Sequence, residues 1–401
     1  MLEGIIKFLF NTDSEAIHVY TNPPRRFFGL LASPAIQFGA LLNGRVPMPF
    51  ILSGRFAKNH KWIMGKTRTG KSKLLADMAG QLLLQGQSVA VIDPHRDLGS
   101  EILIILEQNG YFKRKDAFER FWYIDFGAKD ERRSATHFVP FNILNQSVDM
   151  YTIARGVVEA AKRVWPYLRD NAPHFENVLY FSLIVLIENK LPVTAIDQLL
   201  TDQAYRTALL ENTTDELAKQ FFRNRYNKWK DQVMLRESTL NKTSLFTATP
   251  VLRNALGAEE NLLDFRKMMD EGISVVINLS GLDWEEQKML GCLITVGFEQ
   301  AAEAREHQLD RSKRRDYHLF IDEFDKFSAQ SQAGLSDILA KCLKFRLYLT
   351  LANQTISQTT EGLLGALQNT AKFMFCLGDD DAERVAKWFC HYDPNEKKHE
   401  V

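Results

Sequence analysis

Short apolar runs alternate with longer amphipathic stretches along most of this chain. The runs are four to seven residues long and rich in Val, Ile, Leu, Phe or Tyr: His60–Met64, Ser88–Ile92, Phe121–Ile124, Ile273–Leu279, Tyr317–Ile321, Leu347–Ala352 and Lys372–Leu377. Continuous apolar runs of this length are typical of strands buried on both faces. Helical periodicity follows the first and fourth runs, at Lys73–Gln85 and Glu285–Arg305. The alternation predicts an α/β core with a mostly parallel sheet covered by helices.

One region interrupts this alternation. From Val148 to Leu256 no strand-like run occurs, and helical periodicity is nearly continuous, as in Met150–Val164, Phe175–Glu188 and Thr214–Met234. We therefore predict an all-α domain inserted between the third and fourth strands. The predicted division is an N-terminal segment of unknown role (1–57), a core (58–147 and 257–395) and the all-α insertion (148–256). The charged residues 393–401 end without a helix cap, as expected of a fragment of a longer protein.

The most membrane-like segment is Phe27–Leu42. It has about 16 residues, fewer than the roughly 20 needed to span a bilayer, and it contains Pro34 and Gln37. We interpret it as a packed or interfacial segment. No secretory signal is visible, and the four cysteines are scattered without a CxxC pair, which favours buried thiols in a reducing compartment. The expected location is cytoplasmic, with a peripheral position at the inner face of the cell membrane as an alternative.

A phosphate-binding motif follows the first core strand. The pattern G-x-x-x-x-G-K-[ST] is matched in full by Gly65, Lys66, Thr67, Arg68, Thr69, Gly70, Lys71 and Ser72. Glycines let such a loop direct backbone N–H groups at phosphates, and the helix that follows adds its positive N-terminus. Lys71 is expected to reach the β- and γ-phosphates and Ser72 to ligate Mg²⁺. The motif predicts a P-loop NTPase with a RecA-like core that uses ATP and Mg²⁺.

Two carboxylates end the fifth apolar run. Asp322 and Glu323 follow Tyr317–Ile321, so they should lie in the crevice at the carboxyl end of the sheet, where ligands bind in α/β folds. Asp322 is predicted to hold Mg²⁺ opposite Ser72, and Glu323 to act as general base on the attacking water. The alternative, that surface acids simply follow a strand, is weakened by the complete P-loop upstream.

Two further strand ends carry polar side chains. Gln354 follows Leu347–Ala352 and could hydrogen-bond both the attacking water and the γ-phosphate, or only satisfy its local turn. Asp93-Pro94-His95 ends the second strand, where it either couples nucleotide state to motion or shapes a turn. The sequence leaves both pairs of alternatives open.

The overall charge says little about a nucleic-acid partner. Lys and Arg total 50, as do Asp and Glu, so no global field attracts a polyanion, and DNA contacts would have to come from local patches. The basic stretch Arg311–Arg315 is one candidate, although a solvated loop is the favoured interpretation.

These motifs, in this order, resemble the HerA/FtsK superfamily. The resemblance covers roughly residues 45–395 and is strongest to the conjugative coupling proteins of type IV secretion systems. It is carried by His60–Ser72, Val91–Leu98, Pro140–Asn142, Phe320–Phe324 and Leu351–Gln354. It implies an ATP-driven DNA translocase that forms a homo-oligomeric ring, expected to be a hexamer, with ATP between subunits and DNA in the pore. It also implies that the all-α domain recognises relaxosome or substrate, and that secretion-channel proteins are possible partners.

The resemblance fails at one catalytic position. Family members tend to carry Arg-Lys-aromatic-Gly before the glutamine-bearing strand, to supply an arginine to the neighbouring subunit's site, whereas this chain reads Leu343-Lys344-Phe345-Arg346. Arg346 is our candidate for that arginine. Lys344, Arg253 and Arg305 remain alternatives.

Other classes of protein fit less well. The chain lacks the N-K-x-D motif of GTPases and the L-S-G-G-Q signature of ABC ATPases. The remaining alternatives are a related ring ATPase that energises protein secretion or remodelling, a HerA-like DNA-processing translocase, and a nucleotide-binding scaffold with little turnover.

Overall fold

The computed structural model describes residues 35–41, 48–54, 57–127, 138–165, 173–229, 232–308, 310–328, 339–375 and 377–389. Its strands are β1 Ala35–Leu41, β2 Met48–Ser53, β3 Lys61–Gly65, β4 Ser88–Asp93, β5 Phe121–Asp125, β6 Ser274–Asn278, β7 Tyr317–Ile321, β8 Leu347–Asn353 and β9 Ala371–Phe375. Its α-helices are α1 Lys71–Leu84, α2 Asp97–Gln108, α3 Ala117–Arg120, α4 Met150–Val164, α5 Pro173–Glu188, α6 Ile196–Thr201, α7 Gln203–Asn212, α8 Glu216–Gln220, α9 Gln232–Thr243, α10 Pro250–Leu256, α11 Phe265–Glu271, α12 Trp284–Glu303, α13 Asp325–Ser328, α14 Glu361–Leu367 and α15 Asp379–Phe389.

Seven strands form one sheet in the order β5-β6-β4-β7-β8-β3-β9, and every pairing in it is parallel. All seven strands predicted from the apolar runs are present, and the predicted α/β fold class is confirmed. Because parallel strands end at the same edge, this topology gathers the residues that follow β3, β4, β7 and β8 along one carboxyl edge.

Helices bury both faces of this sheet. On one face, α1 and α2 cover residues such as Ile63, Val91 and Phe320. On the other face, α12 and α4 cover residues that include Trp62 and Leu319. Strands covered on both sides must be apolar throughout, which explains why the core runs read as continuous rather than alternating.

The helical region between β5 and β6 is continuous with the core at its base. Buried residues of α4 and α5 belong to the same hydrophobic cluster as the sheet face under α12, and Arg163 of α4 pairs with Glu299 of α12 at 3.1 Å. Within the described residues from 138 to 271, no strand occurs apart from a single bridge between Phe141 and Asn261. The residues are helical as predicted, whereas the domain boundaries at 148 and 256 stay a prediction.

The Pro140-Phe141-Asn142 segment ties together the two chain passages that lead into and out of this helical region. The Phe141 amide donates to the Ala255 carbonyl, and the Asn142 side chain donates to the Glu259 carbonyl. Asn142 also accepts from the Leu144 amide, which shapes the turn before α4.

The helical periodicity of Thr214–Met234 does not produce one uninterrupted helix. The chain instead forms the short α8, a π-helical turn at Phe221–Arg225 and a 3-10 turn at Tyr226–Lys228, and a new helix begins at Gln232. Aromatic rings explain the interruption, because Phe221, Tyr226 and Trp229 pack edge-on or tilted against one another, at centroid distances of 5.8 to 6.4 Å. Ring packing overrides the helical periodicity of the sequence here.

A two-stranded antiparallel hairpin, β1 with β2, lies beside α1 and was not expected from the sequence. Two glutamines, Gln81 of α1 and Gln85 at its C-cap, pair with the β1 backbone as a neighbouring strand would. Gln81 both accepts from the Gln37 amide and donates to the Gln37 carbonyl, and Gln85 does the same with Ala35. Of the segment Phe27–Leu42, the structure describes Ala35–Leu41, in which Ala35, Ile36 and Gln37 are buried, whereas Phe27–Pro34 and Leu42 lie outside the described residues.

Candidate active site

The loop from Gly65 to Ser72 connects β3 directly to α1. Gly70 has φ 92° and Arg68 has φ 65°, so two positions of the loop adopt the left-handed conformation. Gly70 caps α1 without a side-chain hydrogen bond, which leaves the backbone N–H groups of the first helical turn directed out of the helix end. Left-handed residues within such a loop and an uncapped helix N-terminus together form a concave anion-binding surface.

Asp322 lies against this loop. One carboxylate oxygen of Asp322 accepts a hydrogen bond from Ser72 Oγ at 3.2 Å, and the other lies 3.5 Å from Lys71 Nζ. Asp322 is 3% exposed and Lys71 9% exposed, so both are held in a nearly dry crevice. The fold thus brings Lys71 and Ser72 next to Asp322, although 250 positions separate Ser72 from Asp322 in the sequence.

Glu323 lies at a bend immediately after Asp322. Its backbone has φ 49°, a strained value for a residue with a side chain. One carboxylate oxygen, Oε2, lies 2.8 Å from His95 Nε2 and 2.5 Å from Lys326 Nζ. The other, Oε1, accepts from Gln354 Nε2 at 3.1 Å. The hydrogen bonds from His95 and Lys326 outweigh desolvation and lower the pKa of Glu323 to about 2.

Gln354 connects this glutamate to the P-loop. Its amide nitrogen donates to Glu323, and its amide oxygen accepts from the Thr67 hydroxyl at 3.1 Å. Its own backbone N–H donates to the side chain of Gln358, which also holds the Thr355 amide. The side chain of Gln354 therefore faces the crevice, while Gln358 satisfies the local turn.

Asp93 shapes the turn that ends β4. Its fully buried carboxylate accepts from the backbone amides of His95 at 2.9 Å, Arg96 at 2.9 Å and Gly99 at 2.7 Å. Burial raises the pKa of Asp93, and the three hydrogen bonds partly oppose that shift. Arg96 has φ 74°, so the turn is sharp. The sequence left open whether Asp93-Pro94-His95 shapes a turn or couples nucleotide state to motion. The contacts assign turn formation to Asp93 and direct the His95 side chain at Glu323.

Arg346 lies at the opposite edge of the sheet from the P-loop. It precedes β8, whose seven residues separate it from Gln354 by about 26 Å. Its guanidinium donates to the Arg314 carbonyl and lies 3.8 Å from Asp316. Its backbone has φ 60°, a left-handed conformation that glycine adopts without strain. Glycine is the residue that the Arg-Lys-aromatic-Gly pattern places at this position. Arg346 therefore does not contribute to the site of its own chain.

The alternative arginine-finger residues differ in exposure. Arg305 is completely buried and hydrogen-bonds Asp270 and the Arg315 and Phe345 carbonyls, so its assignment as a finger is wrong. Lys344 and Arg253 are exposed. Within the basic stretch, Arg314 is buried and holds two backbone carbonyls, and Arg311 is exposed.

The cysteines that the structure describes are buried free thiols, Cys292 and Cys342, and burial raises the pKa of Cys292 to about 12. Cys376 and Cys390 lie outside the described residues. Within the described ranges, no helix is long and apolar enough to cross a bilayer.

Sequence reasoning singled out His95 without its contact to Glu323, and it missed Lys326 altogether. The contact of His95 with Glu323 depends on β4 lying next to β7, and strand order cannot be inferred from apolar runs alone. The available signal for Lys326 was its spacing, since it follows Glu323 by three residues and so returns to the same side of one helical turn.

The comparisons with known structures agree with this architecture. The bacterial conjugative coupling protein TrwB, in the form lacking its first 70 residues, matches with a TM-score of 0.50 and 18% identity over 86% of this chain and 69% of that chain. VirB4 of Thermoanaerobacter pseudethanolicus matches with a TM-score of 0.53 and 14% identity over 82% and 80%. The fold is that of TrwB and VirB4. The resemblance to type IV secretion ATPases is thereby confirmed for the fold.

The TrwB fold has been solved with nucleotides bound. One TrwB structure contains ADP and Mg²⁺, and another contains a non-hydrolysable ATP analogue. No protein-family model and no curated protein sequence matches this chain. At these identities the structural likeness defines the fold and leaves the chemistry to be argued from the residues of this chain.

Proposed function

We propose that this chain is an ATP-driven motor that moves DNA during conjugation or mobile-element transfer. The observation that carries the proposal is the position of Asp322, which contacts both Ser72 and Lys71 at the start of α1. A P-loop alone indicates phosphate binding. A buried acid set against its lysine and hydroxyl is the arrangement that hydrolysis of a nucleoside triphosphate requires.

The residues present fit ATP with Mg²⁺. The backbone amides of Gly65–Ser72 would hold the phosphates, with Lys71 at the β- and γ-phosphates. Ser72 Oγ and Asp322 Oδ2 are hard oxygen donors 3.2 Å apart, the kind of ligand that Mg²⁺ prefers. When bound, Mg²⁺ would neutralise charge on the phosphates. The structures of TrwB with ADP and Mg²⁺ and with an ATP analogue support the same cofactors here.

Glu323 and Gln354 are the proposed water-binding residues. They are hydrogen-bonded to each other, and Gln354 also touches the P-loop through Thr67. Phosphoryl transfer to water depends mainly on orienting the nucleophile, because the transition state is loose and demands little proton removal. A carboxylate with a low pKa suits this orienting role, since it stays ionised and accepts a hydrogen bond at neutral pH.

We further propose that the active form is a ring, expected to be a hexamer, in which a neighbouring subunit supplies a cation. Arg346 lies about 26 Å from Gln354, which contacts the P-loop of the same chain through Thr67, so Arg346 could act only on another subunit's nucleotide. Arg346, Lys344 and Arg253 are the candidates that remain. DNA would pass through the pore and contact local basic patches. Relaxosome or secretion-channel proteins, at the cytoplasmic face of the membrane, are the proposed partners.

The test is steady-state ATP hydrolysis with and without DNA. Wild-type protein should hydrolyse ATP in Mg²⁺, and DNA should raise kcat several-fold. Lys71→Ala should abolish nucleotide binding, whereas Glu323→Gln should retain binding and lower kcat by about a hundredfold, the usual loss when a water-orienting group is removed. Hydrolysis that persists unchanged in Glu323→Gln would refute the assignment of the site.

A protein-directed motor is the second candidate. The likeness to VirB4, with a TM-score of 0.53, is comparable to that to TrwB, so the fold does not separate the two. The balanced charge, with 50 basic and 50 acidic residues, does not favour a polyanionic track either. Hydrolysis that is indifferent to single- and double-stranded DNA across all oligomeric fractions would favour this candidate over the first.

A further inference from the structure

The two oxygens of the Glu323 carboxylate have different numbers of polar partners. His95 and Lys326 both bind Oε2, whereas Gln354 alone binds Oε1. An ionised carboxylate has about four acceptor positions, two on each oxygen. The contacts described here fill both positions on Oε2 and one on Oε1. The remaining position is therefore on the oxygen that faces Gln354 and, through Thr67, the P-loop.

The turn that carries His95 is built for this contact. Asp93 fixes the turn through three backbone amides, and Arg96 completes it in a strained left-handed conformation. Glu323, on the neighbouring strand end, is strained in the same way at φ 49°. Strain at two facing positions persists only where surrounding contacts compensate for it, and such positions are typical of functional sites.

Resting on the proposed function, we infer that His95 is a positioning residue for hydrolysis. Together with Lys326 it anchors Oε2 of Glu323, so that Oε1 is directed at the attacking water. The strongly lowered pKa of Glu323 is consistent with this anchoring, because both partners favour the ionised carboxylate.

The main test compares His95→Ala with His95→Gln. Loss of the anchor should lower kcat by about tenfold, the scale expected when a reacting group loses its orientation. KM for ATP and the dissociation constant of a non-hydrolysable analogue should change by less than twofold, because His95 contacts Glu323 rather than the P-loop. His95→Gln, which can restore a neutral N–H donor, should recover most of kcat. Exposed His307 provides the matched control, and His307→Ala should behave as wild type.

A double-mutant cycle with Glu323→Gln separates positioning from general damage. If His95 acts through Glu323, adding His95→Ala to Glu323→Gln should cause no further loss of kcat. An unchanged kcat in His95→Ala, a parallel rise in KM and the analogue dissociation constant, or full additivity of the two substitutions would each overturn the inference.

The same four proteins also distinguish this inference from the proposed function. If wild type does not hydrolyse ATP, the proposed function fails, and the Tm values of the cycle still report on the contact. Non-additive Tm shifts would show that His95 and Glu323 interact as described. Additive Tm shifts would contradict the anchoring itself.

Discussion

Removing the Asp93 carboxylate should destabilise the chain because three backbone amides depend on it. In Asp93→Ala the Gly99 amide, which is buried, loses its 2.7 Å hydrogen bond without a replacement. An unsatisfied buried donor costs about 1–3 kcal/mol. The His95 and Arg96 amides belong to exposed residues and can be rehydrated, so each should lose about 0.5 kcal/mol. The expected loss in unfolding free energy is about 3 kcal/mol.

Urea unfolding, followed by tryptophan fluorescence without nucleotide, measures this loss. Asp97→Ala is the matched control, because Asp97 is exposed in the first turn of α2 and should contribute about 0.5 kcal/mol through the helix dipole. Asp93→Asn keeps the shape but points an NH₂ group at amide donors, and we expect an intermediate value. An Asp93→Ala protein within 0.5 kcal/mol of wild type would refute the turn-forming role.

Three further outcomes test other parts of the structure. Lys61 is buried, and desolvation lowers its pKa to about 7. Between pH 7 and about 10 the folded state therefore binds fewer protons than the unfolded chain, so the unfolding free energy of wild type should rise by about 1.4 kcal/mol per pH unit relative to Lys61→Met. Parallel stability curves for the two proteins would contradict this. Gly291→Ala should lower stability by about 2 kcal/mol, because the added Cβ would lie 2.1 Å from the Phe327 ring. Gly365→Ala, in α14, would place its Cβ more than 4 Å from any packing neighbour that the structure describes and should raise stability by about 0.5–1 kcal/mol. Tm shifts of the same sign in the two variants would be inconsistent with the packing. Ser72→Ala should bind ADP with an affinity that no longer depends on Mg²⁺ in calorimetric titrations, and a wild-type dependence would exclude Ser72 as a ligand.

The core of the fold could be predicted because the five central strands of the sheet are buried on both faces. That environment forces uninterrupted apolar residues, and the predicted and observed strands differ by only one or two residues at their ends, as at Ser88–Ile92 and Ser88–Asp93. The hairpin of β1 and β2 could not be predicted in this way. Part of its pairing comes from the side chains of Gln81 in α1 and Gln85 at its C-cap, which leave no mark on hydrophobic periodicity.

The candidate site likewise has a part that could be predicted from the sequence and a part that could not. Gly65–Ser72 and Asp322 were predictable, because a loop that binds phosphate and an acid that ends a buried strand are each constrained locally. The network around Glu323 was not, because it combines three strand ends whose order in the sheet is set by tertiary structure. Arg346 shows a different limit, because the role that the resemblance implies for it lies in a neighbouring subunit's site, and the fold of one chain shows only that Arg346 is far from its own P-loop.

The central claim is that a triphosphate with Mg²⁺ binds between the P-loop and Asp322. An experimental structure with Mg²⁺ and a non-hydrolysable ATP analogue tests it most directly. We predict the phosphates on the backbone amides of Gly65–Ser72 and an octahedral Mg²⁺ about 2.1 Å from Ser72 Oγ, with the Asp322 carboxylate in its immediate surroundings. A nucleotide bound elsewhere, or a cation that Asp322 does not approach, would contradict the account.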